Sequence, residues 1–93
     1  MNTISNNFEN QSKLFAALAD ETRLEILNVL MNTSNTCVSG LADQLGLSVS
    51  AVSQQCKLLE MTGLLRRVRQ GQRICYEVRT DNREVKKALS LIK

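Results

Sequence analysis

The chain has 93 residues, of which 43% are hydrophobic, and a formal net charge of +3. This length fits one domain, and this apolar content fits a folded protein rather than a disordered one. No apolar run reaches the roughly 18–20 residues that cross a bilayer, and residues 1–10 lack the apolar stretch of a secretion signal. We expect residues 1–10 to be a flexible segment and residues 11–93 to form a cytoplasmic domain. The three cysteines, an odd number, are expected to be reduced thiols there.

Charge is divided unevenly along the chain. Residues 1–56 hold two basic and five acidic residues, whereas residues 57–93 hold ten basic and four acidic ones. A segregated basic half is expected of a protein that binds the phosphate backbone of nucleic acid. A solvated basic tail would give the same balance, so the motifs have to decide between the two.

Two helices are predicted in the first third of the chain. The spacing of Leu14, Phe15 and Leu18 predicts a short amphipathic helix over residues 11–18. Asp20 is a good N-cap for a second helix, because its carboxylate can accept from the unpaired amides of the first turn.

A second pair of helices follows, joined by a short turn. Apolar residues at positions i, i+3, i+4 and i+7 predict a helix over residues 38–45, and Gly46 is typical of a helix stop. Ser48 can cap the fourth helix. Its apolar stripe consists of Val49, Val52, Cys56 and Leu59. Two helices joined in this way indicate a helix-turn-helix, whose second helix enters a major groove of DNA.

A β-hairpin is predicted over residues 64–69 and 73–79, with Gln70-Gly71-Gln72 as a three-residue tip. Apolar and polar residues alternate in its second strand, so that one face is apolar. A last helix is predicted over residues 82–92. The predicted fold is therefore mainly α with a small β-hairpin wing, a winged helix-turn-helix in the order helix-helix-helix-helix-strand-strand-helix.

The outward face of the fourth helix carries small and hydrogen-bonding side chains. Serine contacts bases or phosphates, glutamine reads adenine through two hydrogen bonds, and alanine meets a thymine methyl group. An ordinary helix with a polar face would have the same spacing. The candidate DNA-reading residues are Ser48, Ser50, Ala51, Ser53, Gln54, Gln55 and Lys57.

The hairpin adds a basic cluster around its glycine tip. Such charges suit a wing that contacts phosphates or places an arginine in the minor groove. The candidate wing residues are Arg66, Arg67, Arg69, Gln70, Gln72 and Arg73. Together with the helix-turn-helix they favour binding to double-stranded DNA. The alternative is a protein-interaction module that has kept the fold and lost the reading of DNA.

The order of these motifs resembles the ArsR/SmtB family of winged-helix repressors over about residues 11–92. The run from Leu14 to Leu27, LFAALADETRLEIL, is similar to the family's N-terminal signature. The segments VSGLA, LGLS, AVSQQ, LL and GLL resemble its helix-turn-helix, and RQGQR followed by Tyr76 resembles its wing. The resemblance implies a transcriptional repressor that binds an inverted-repeat operator as a homodimer.

The family pairs its protomers through the first and last helices. Both ends of this chain also carry apolar helix faces, which could otherwise simply close the core of one protomer. The candidate dimer residues are Leu14, Phe15, Leu18, Val85, Leu89 and Ile92.

Family members often release DNA when a metal or arsenite binds, but the ligand sets are incomplete here. The chain has no histidine, so only Asp81 could stand in the family's zinc site. Where metal sensors have Cys-Val-Cys, this chain has Cys37-Val38-Ser39, which lacks the second thiolate. We therefore expect neither a metal nor a cofactor.

The cysteines are candidates for a different kind of signal. Cys37 precedes a helix, whose dipole lowers a thiol pKa, and Cys75 alternates to the polar face of its strand, where exposure is expected. Both are candidate thiol sensors, and two disulfides stay open, one between Cys37 and Cys75 and one between the Cys37 residues of two subunits. Cys56 lies on an apolar stripe and is expected to act as a small core residue. No catalytic constellation is present, which argues against an enzyme.

Overall fold

The computed structural model describes residues 3–33 and 36–92. The predicted winged helix-turn-helix and the order of its elements are confirmed, with one additional short strand. The elements are α1 (Thr3–Leu18), α2 (Glu21–Asn32), β1 (Thr36–Cys37), α3 (Val38–Leu45), α4 (Val49–Met61), β2 (Leu65–Gln70), β3 (Arg73–Val78) and α5 (Arg83–Leu89). None of the helices in this described part is long and apolar enough to cross a membrane.

Local capping signals explain where the helices begin. Asp20 accepts from the amide of Arg23 at 3.0 Å, and Ser48 accepts from the amide of Ala51 at 3.1 Å. Each side chain satisfies an amide that has no partner within its helix. Both caps occur where the sequence predicted them, so the starts of α2 and α4 are encoded locally.

The two terminal helices differ from prediction in length. Helix α1 begins at Thr3 rather than near residue 11, because no glycine or proline interrupts the preceding segment and Phe8 lies two turns before Phe15. Helix α5 ends at Leu89, three residues before its predicted end. Residues 1 and 2 lie outside the described residues, and the flexibility of residues 1–10 stays a prediction.

The three strands form an antiparallel sheet in the order β1-β3-β2. Strand β1 was not predicted, since two residues are too few to show a periodicity. Gln70 pairs with Arg73, so the tip of the hairpin has two residues rather than the predicted three. Gly71 takes the left-handed conformation there, with φ of 64°, as tight hairpin turns require.

The core lies between α2, α4 and one face of the hairpin. Its most deeply buried side chains include Ile26, Leu27, Leu41, Leu59 and Leu64, all without exposed surface. Cys56 is equally buried on the inner stripe of α4, as predicted, and burial raises the pKa of its thiol to about 12. This thiol is therefore neutral and inert at physiological pH.

The turn between α3 and α4 sets the angle of the helix-turn-helix. Gly46 ends α3 in the left-handed region with φ of 67°, and the amide of Leu47 donates to the carbonyl of Ala42 at 3.0 Å. A side chain at Gly46 would meet no atom within 4 Å, so only the backbone conformation requires glycine.

Replacing Gly46 by alanine should therefore lower the free energy of unfolding by about 1–2 kcal/mol, the cost of the left-handed region for an L-residue. The matched control is Gly40→Ala within α3, where a new Cβ would lie 3.7 Å from Thr36 Cγ2, an ordinary contact. There alanine should be neutral or stabilise by up to about 1 kcal/mol. Urea denaturation measures both changes, and equal effects would contradict a conformational role for Gly46.

Candidate nucleic-acid interface

Helix α4 presents part of the predicted reading face to solvent. Ser50, Gln54 and Lys57 are exposed at spacings of four and three residues, so they share one side of the helix. Ser48 is also exposed, at the N-cap, where its hydroxyl is already an acceptor for Ala51. Ala51 and Ser53 are half-buried at the margins of this face.

Gln55, predicted to read DNA, is half-buried and already has a partner within the protein. Its Oε1 accepts from Arg23 Nη1 at 3.1 Å, across 32 residues of sequence. The same guanidinium donates through Nε to the carbonyl of Ala17 at 2.7 Å and through Nη2 to that of Ala16 at 3.2 Å. Arg23 thus ties the end of α1 to the side of α4, and Gln55 is one of its anchors.

The role of Arg23 in joining α1 to α4 was not predicted from the sequence. A signal was present, since Arg23 and Lys13 are the only two basic residues in the acidic first part of the chain. A basic residue in an acidic segment suggests an ion pair. The acceptors of Arg23 are instead two backbone carbonyls and the side-chain amide of Gln55. No local pattern identifies those acceptors.

Two of the four arginines of the wing have carboxylate partners. Arg66 Nε donates to Oε1 of Glu77 at 2.9 Å, because the two residues are partners across β2 and β3. Arg67 Nε lies 3.5 Å from Oε2 of Glu60 on α4. The sequence showed no acid within the basic cluster, but the fold brings these two acids to it.

The arginines nearest the tip keep their charge uncompensated. Arg69 and Arg73 are exposed and form no ion pair within the described residues, and Gln70 and Gln72 are exposed between them. Exposed ion pairs are weak, worth about 0–1 kcal/mol, so phosphates can still compete for the other two arginines.

Cys37 and Cys75 form a disulfide, which the sequence left open. Their Cα atoms are direct partners between β1 and β3 and lie 3.7 Å apart. The predicted exposure of Cys75 is wrong, since it is 1% exposed between its cross-strand partners Cys37 on β1 and Val68 on β2. The expectation of three reduced thiols is wrong as well, and Cys56 alone is unbonded among the cysteines. The bridge joins the N-cap of α3 to the wing.

The predicted dimer residues fall into three groups by burial. Leu14, Val85 and Leu89 are buried within one protomer, whereas Leu18 and Ile92 pack partly against the same core. Phe15 is 59% exposed, and Phe8 and Leu91 are exposed too. Phe15 and Leu91 line an apolar groove between α1 and α5, so both ends of the chain contribute to one uncovered surface.

Sequence comparison identifies relatives of this chain. The family model described as bacterial regulatory protein, arsR family, matches residues 20–67, which include the whole helix-turn-helix. The arsenical resistance operon repressor of Escherichia coli (strain K12) is 38% identical over 66 residues, which cover 71% of this chain. The match covers only 56% of that repressor, so the chain spans little more than half the length of this relative.

Structural comparison finds the same fold. HlyU from Vibrio cholerae N16961 matches with a TM-score of 0.81 at 33% identity, over 91% of this chain and 89% of that one. A homodimeric winged helix-turn-helix DNA-binding domain from Mycobacterium bovis matches with a TM-score of 0.85 at 23% identity, over 99% of this chain and 82% of that one. This last likeness shows the fold alone. The resemblance noted from the sequence is confirmed: the chain belongs to the arsR family of bacterial regulatory proteins and has their DNA-binding winged helix-turn-helix.

Proposed function

We propose that the chain is a cytoplasmic, sequence-specific transcriptional repressor that binds an inverted-repeat operator as a homodimer. One observation carries the proposal. The exposed hydrogen-bonding side of α4, with Ser50, Gln54 and Lys57, lies beside a wing whose unpaired arginines are Arg69 and Arg73. The helix supplies contacts to base edges, and the wing supplies contacts to phosphates. Repression is supported by the name of the Escherichia coli relative.

The homodimer is supported by the exposed apolar surface of α1 and α5. Phe8, Phe15 and Leu91 are large apolar side chains that one protomer leaves in contact with water. Burying them against a second copy would be favourable at about 25 cal/mol per Å². A two-fold dimer would present two α4 helices to half-sites about one helical turn apart. The Mycobacterium bovis neighbour is described as homodimeric.

The thiols give the repressor a means of regulation. The Cys37–Cys75 bridge joins β1, at the start of α3, to the central strand of the sheet. Oxidation therefore fixes the helix-turn-helix against the wing, and reduction removes that covalent constraint. We propose that the two states differ in their affinity for DNA.

A fluorescence-anisotropy titration tests DNA binding directly. A duplex from the region upstream of the chain's own gene should bind more tightly than a scrambled duplex. Arg69→Ala should weaken binding to both and lower the slope of log affinity against log salt by about one, the loss of one phosphate contact. Arg83→Ala on α5 removes the same charge away from the wing and is the matched control.

Three results would count against the proposal. Equal affinity for the upstream and scrambled duplexes would favour the protein-interaction module. Equal effects of Arg69→Ala and Arg83→Ala would show that net charge, not the wing, binds DNA. Equal affinities of the oxidised and reduced proteins would make the disulfide structural and contradict thiol regulation.

Gln54 and Gln55 are adjacent, but their substitution should have different consequences. Gln54→Ala should change the ranking of operators that differ by single base pairs, by about 1–3 kcal/mol at one position. Gln55→Ala should weaken all duplexes alike, because it removes the contact between Arg23 and α4 and so loosens α4. The double variant with Arg23→Ala should lose little more than Arg23→Ala alone, since Arg23→Ala already removes the contact with Gln55. A change of operator ranking with Gln55→Ala would instead restore its predicted role as a reading residue.

Phe15→Glu should convert the dimer to a monomer, because it places a charge in the apolar surface of α1 and α5. Val49→Glu is the matched control, since Val49 is 54% exposed but lies at the start of α4. Sedimentation equilibrium measures the outcome. A Phe15→Glu protein that still sediments as a dimer would exclude this surface as the dimer interface.

A further inference from the structure

A cleft of about 300 Å³ opens between the start of α3, the outer side of α4 and the wing. Cys37 belongs to its wall, whereas Cys75 does not and is 1% exposed. Cys37 is itself buried, at 5% exposed, so the bridge borders the cleft through Cys37 alone of its two residues. A cleft of this size suits a small molecule, being at the lower end of known ligand pockets.

The walls of this cleft are cationic. Lys57, Arg67 and Arg73 line it, and no acidic residue is among the described residues that do. Arg67 is paired with Glu60, but Lys57 and Arg73 form no ion pair in the described part of the chain. The remaining wall is largely apolar, with Val38 and Ile74 beside the polar hydroxyl of Ser53.

Opening a disulfide requires a thiolate to approach one sulfur in line with the bond. A positive wall favours this step twice, because it attracts an anion and lowers the pKa of a bound thiol. A reducing protein would have to bring its own cysteine to a disulfide whose two residues, Cys37 and Cys75, are both buried. These conditions favour a small, negatively charged thiol.

We propose that this cleft is a binding site for a small anionic thiol, one that carries a carboxylate or sulfonate, and that this thiol reduces the Cys37–Cys75 bridge. The proposal deepens the thiol regulation proposed above and rests on it. Lys57 and Arg73 hold the anionic group, and the apolar wall receives the carbon chain.

The reaction proceeds by two exchanges. The thiolate of the first molecule attacks Cys37 Sγ, the bond to Cys75 Sγ breaks, and Cys75 leaves as a thiolate that takes up a proton. A second thiolate then attacks the sulfur of the bound thiol, which releases Cys37 as a thiolate that is also protonated. Two small thiols are oxidised to one small disulfide, and the protein bridge is reduced to two thiols.

The same cations belong to the predicted DNA-binding face. Phosphates that contact Lys57 or Arg73 would neutralise the attraction for an anionic thiol and cover the mouth of the cleft. Reduction should therefore be slower when the protein is bound to DNA.

The test compares reduction of the oxidised full chain by three thiols of similar size. These are 2-mercaptoethanesulfonate, 2-mercaptoethanol and cysteamine, which are anionic, neutral and cationic. Rates are compared at equal thiolate concentration, with alkylation and mass spectrometry reporting the bridge. Cys56 serves as an internal reference for alkylation of the folded protein. Its thiol is buried and has a pKa of about 12, so it should stay unmodified while the bridge opens. We expect the anionic thiol to react about tenfold faster than the neutral one at low salt, with the advantage falling as salt rises.

The substitution Arg73→Gln should remove most of this advantage, and Arg83→Gln, which removes an equal charge from α5, should retain it. Circular dichroism checks that both variants are folded. Equal rates for the three thiols would overturn the proposal, and so would equal losses in the two variants. Reduction by a thioredoxin-type protein alone would overturn it too, in favour of a macromolecular partner.

Measuring DNA affinity in both redox states separates this proposal from the one on which it rests. If the three thiols reduce the bridge at equal rates but DNA affinity changes with redox state, the thiol site is wrong and thiol regulation is supported. Charge-selective reduction without a change in DNA affinity would support the thiol site and remove its regulatory role.

Discussion

The pairing of β1 with β3 determines how the helix-turn-helix stands against the wing. Strand β1 ends at Cys37, which is also the N-cap of α3. The pairing of this residue in the sheet therefore fixes the position at which α3 begins. Because α3 is joined to α4 by a fixed turn, the position of β1 is passed on to the reading helix. The disulfide reinforces this pairing at the same residue. Strand β1 thus adds a second link between the two DNA-binding elements, beside the direct contact of Arg67 on β2 with Glu60 on α4. Through this link, a redox change at Cys37 would reach DNA binding without any change in the core.

A second constraint comes from the other side of α4. Arg23 contacts the carbonyls at the end of α1 and the amide of Gln55, so that its guanidinium spans three helices. Helix α1 carries the exposed Phe15 of the proposed dimer surface. If α1 rotated on dimerisation, the Arg23 side chain would transmit the movement to α4. The reading helix is held from both sides, by a covalent bridge through α3 and by hydrogen bonds through Arg23.

What the sequence could predict follows from how local each signal is. The caps Asp20 and Ser48 and the stop at Gly46 act within four residues, and each was found at its predicted place. Strand β1 was missed because two residues carry no period, and the burial of Cys75 was missed because it depends on β1. The link from Arg23 to Gln55 joins positions 32 residues apart, so its partners are set by the packing of α2 against α4. The sequence predicts which face of α4 is polar. It does not predict that Gln55, a polar residue of this helix, contacts Arg23.

The charge of the wing shows why composition alone overstates an interface. Four arginines surround the hairpin, yet the fold gives Arg66 and Arg67 acidic partners from β3 and α4. Of these four, Arg69 and Arg73 form no ion pair among the described residues, and Arg73 also lines the cleft beside the disulfide. A phosphate and an anionic thiol would therefore meet the same cation. Since one charge cannot fully serve both, binding of DNA and access of the reductant would be opposed, and a bound operator would protect the oxidised state.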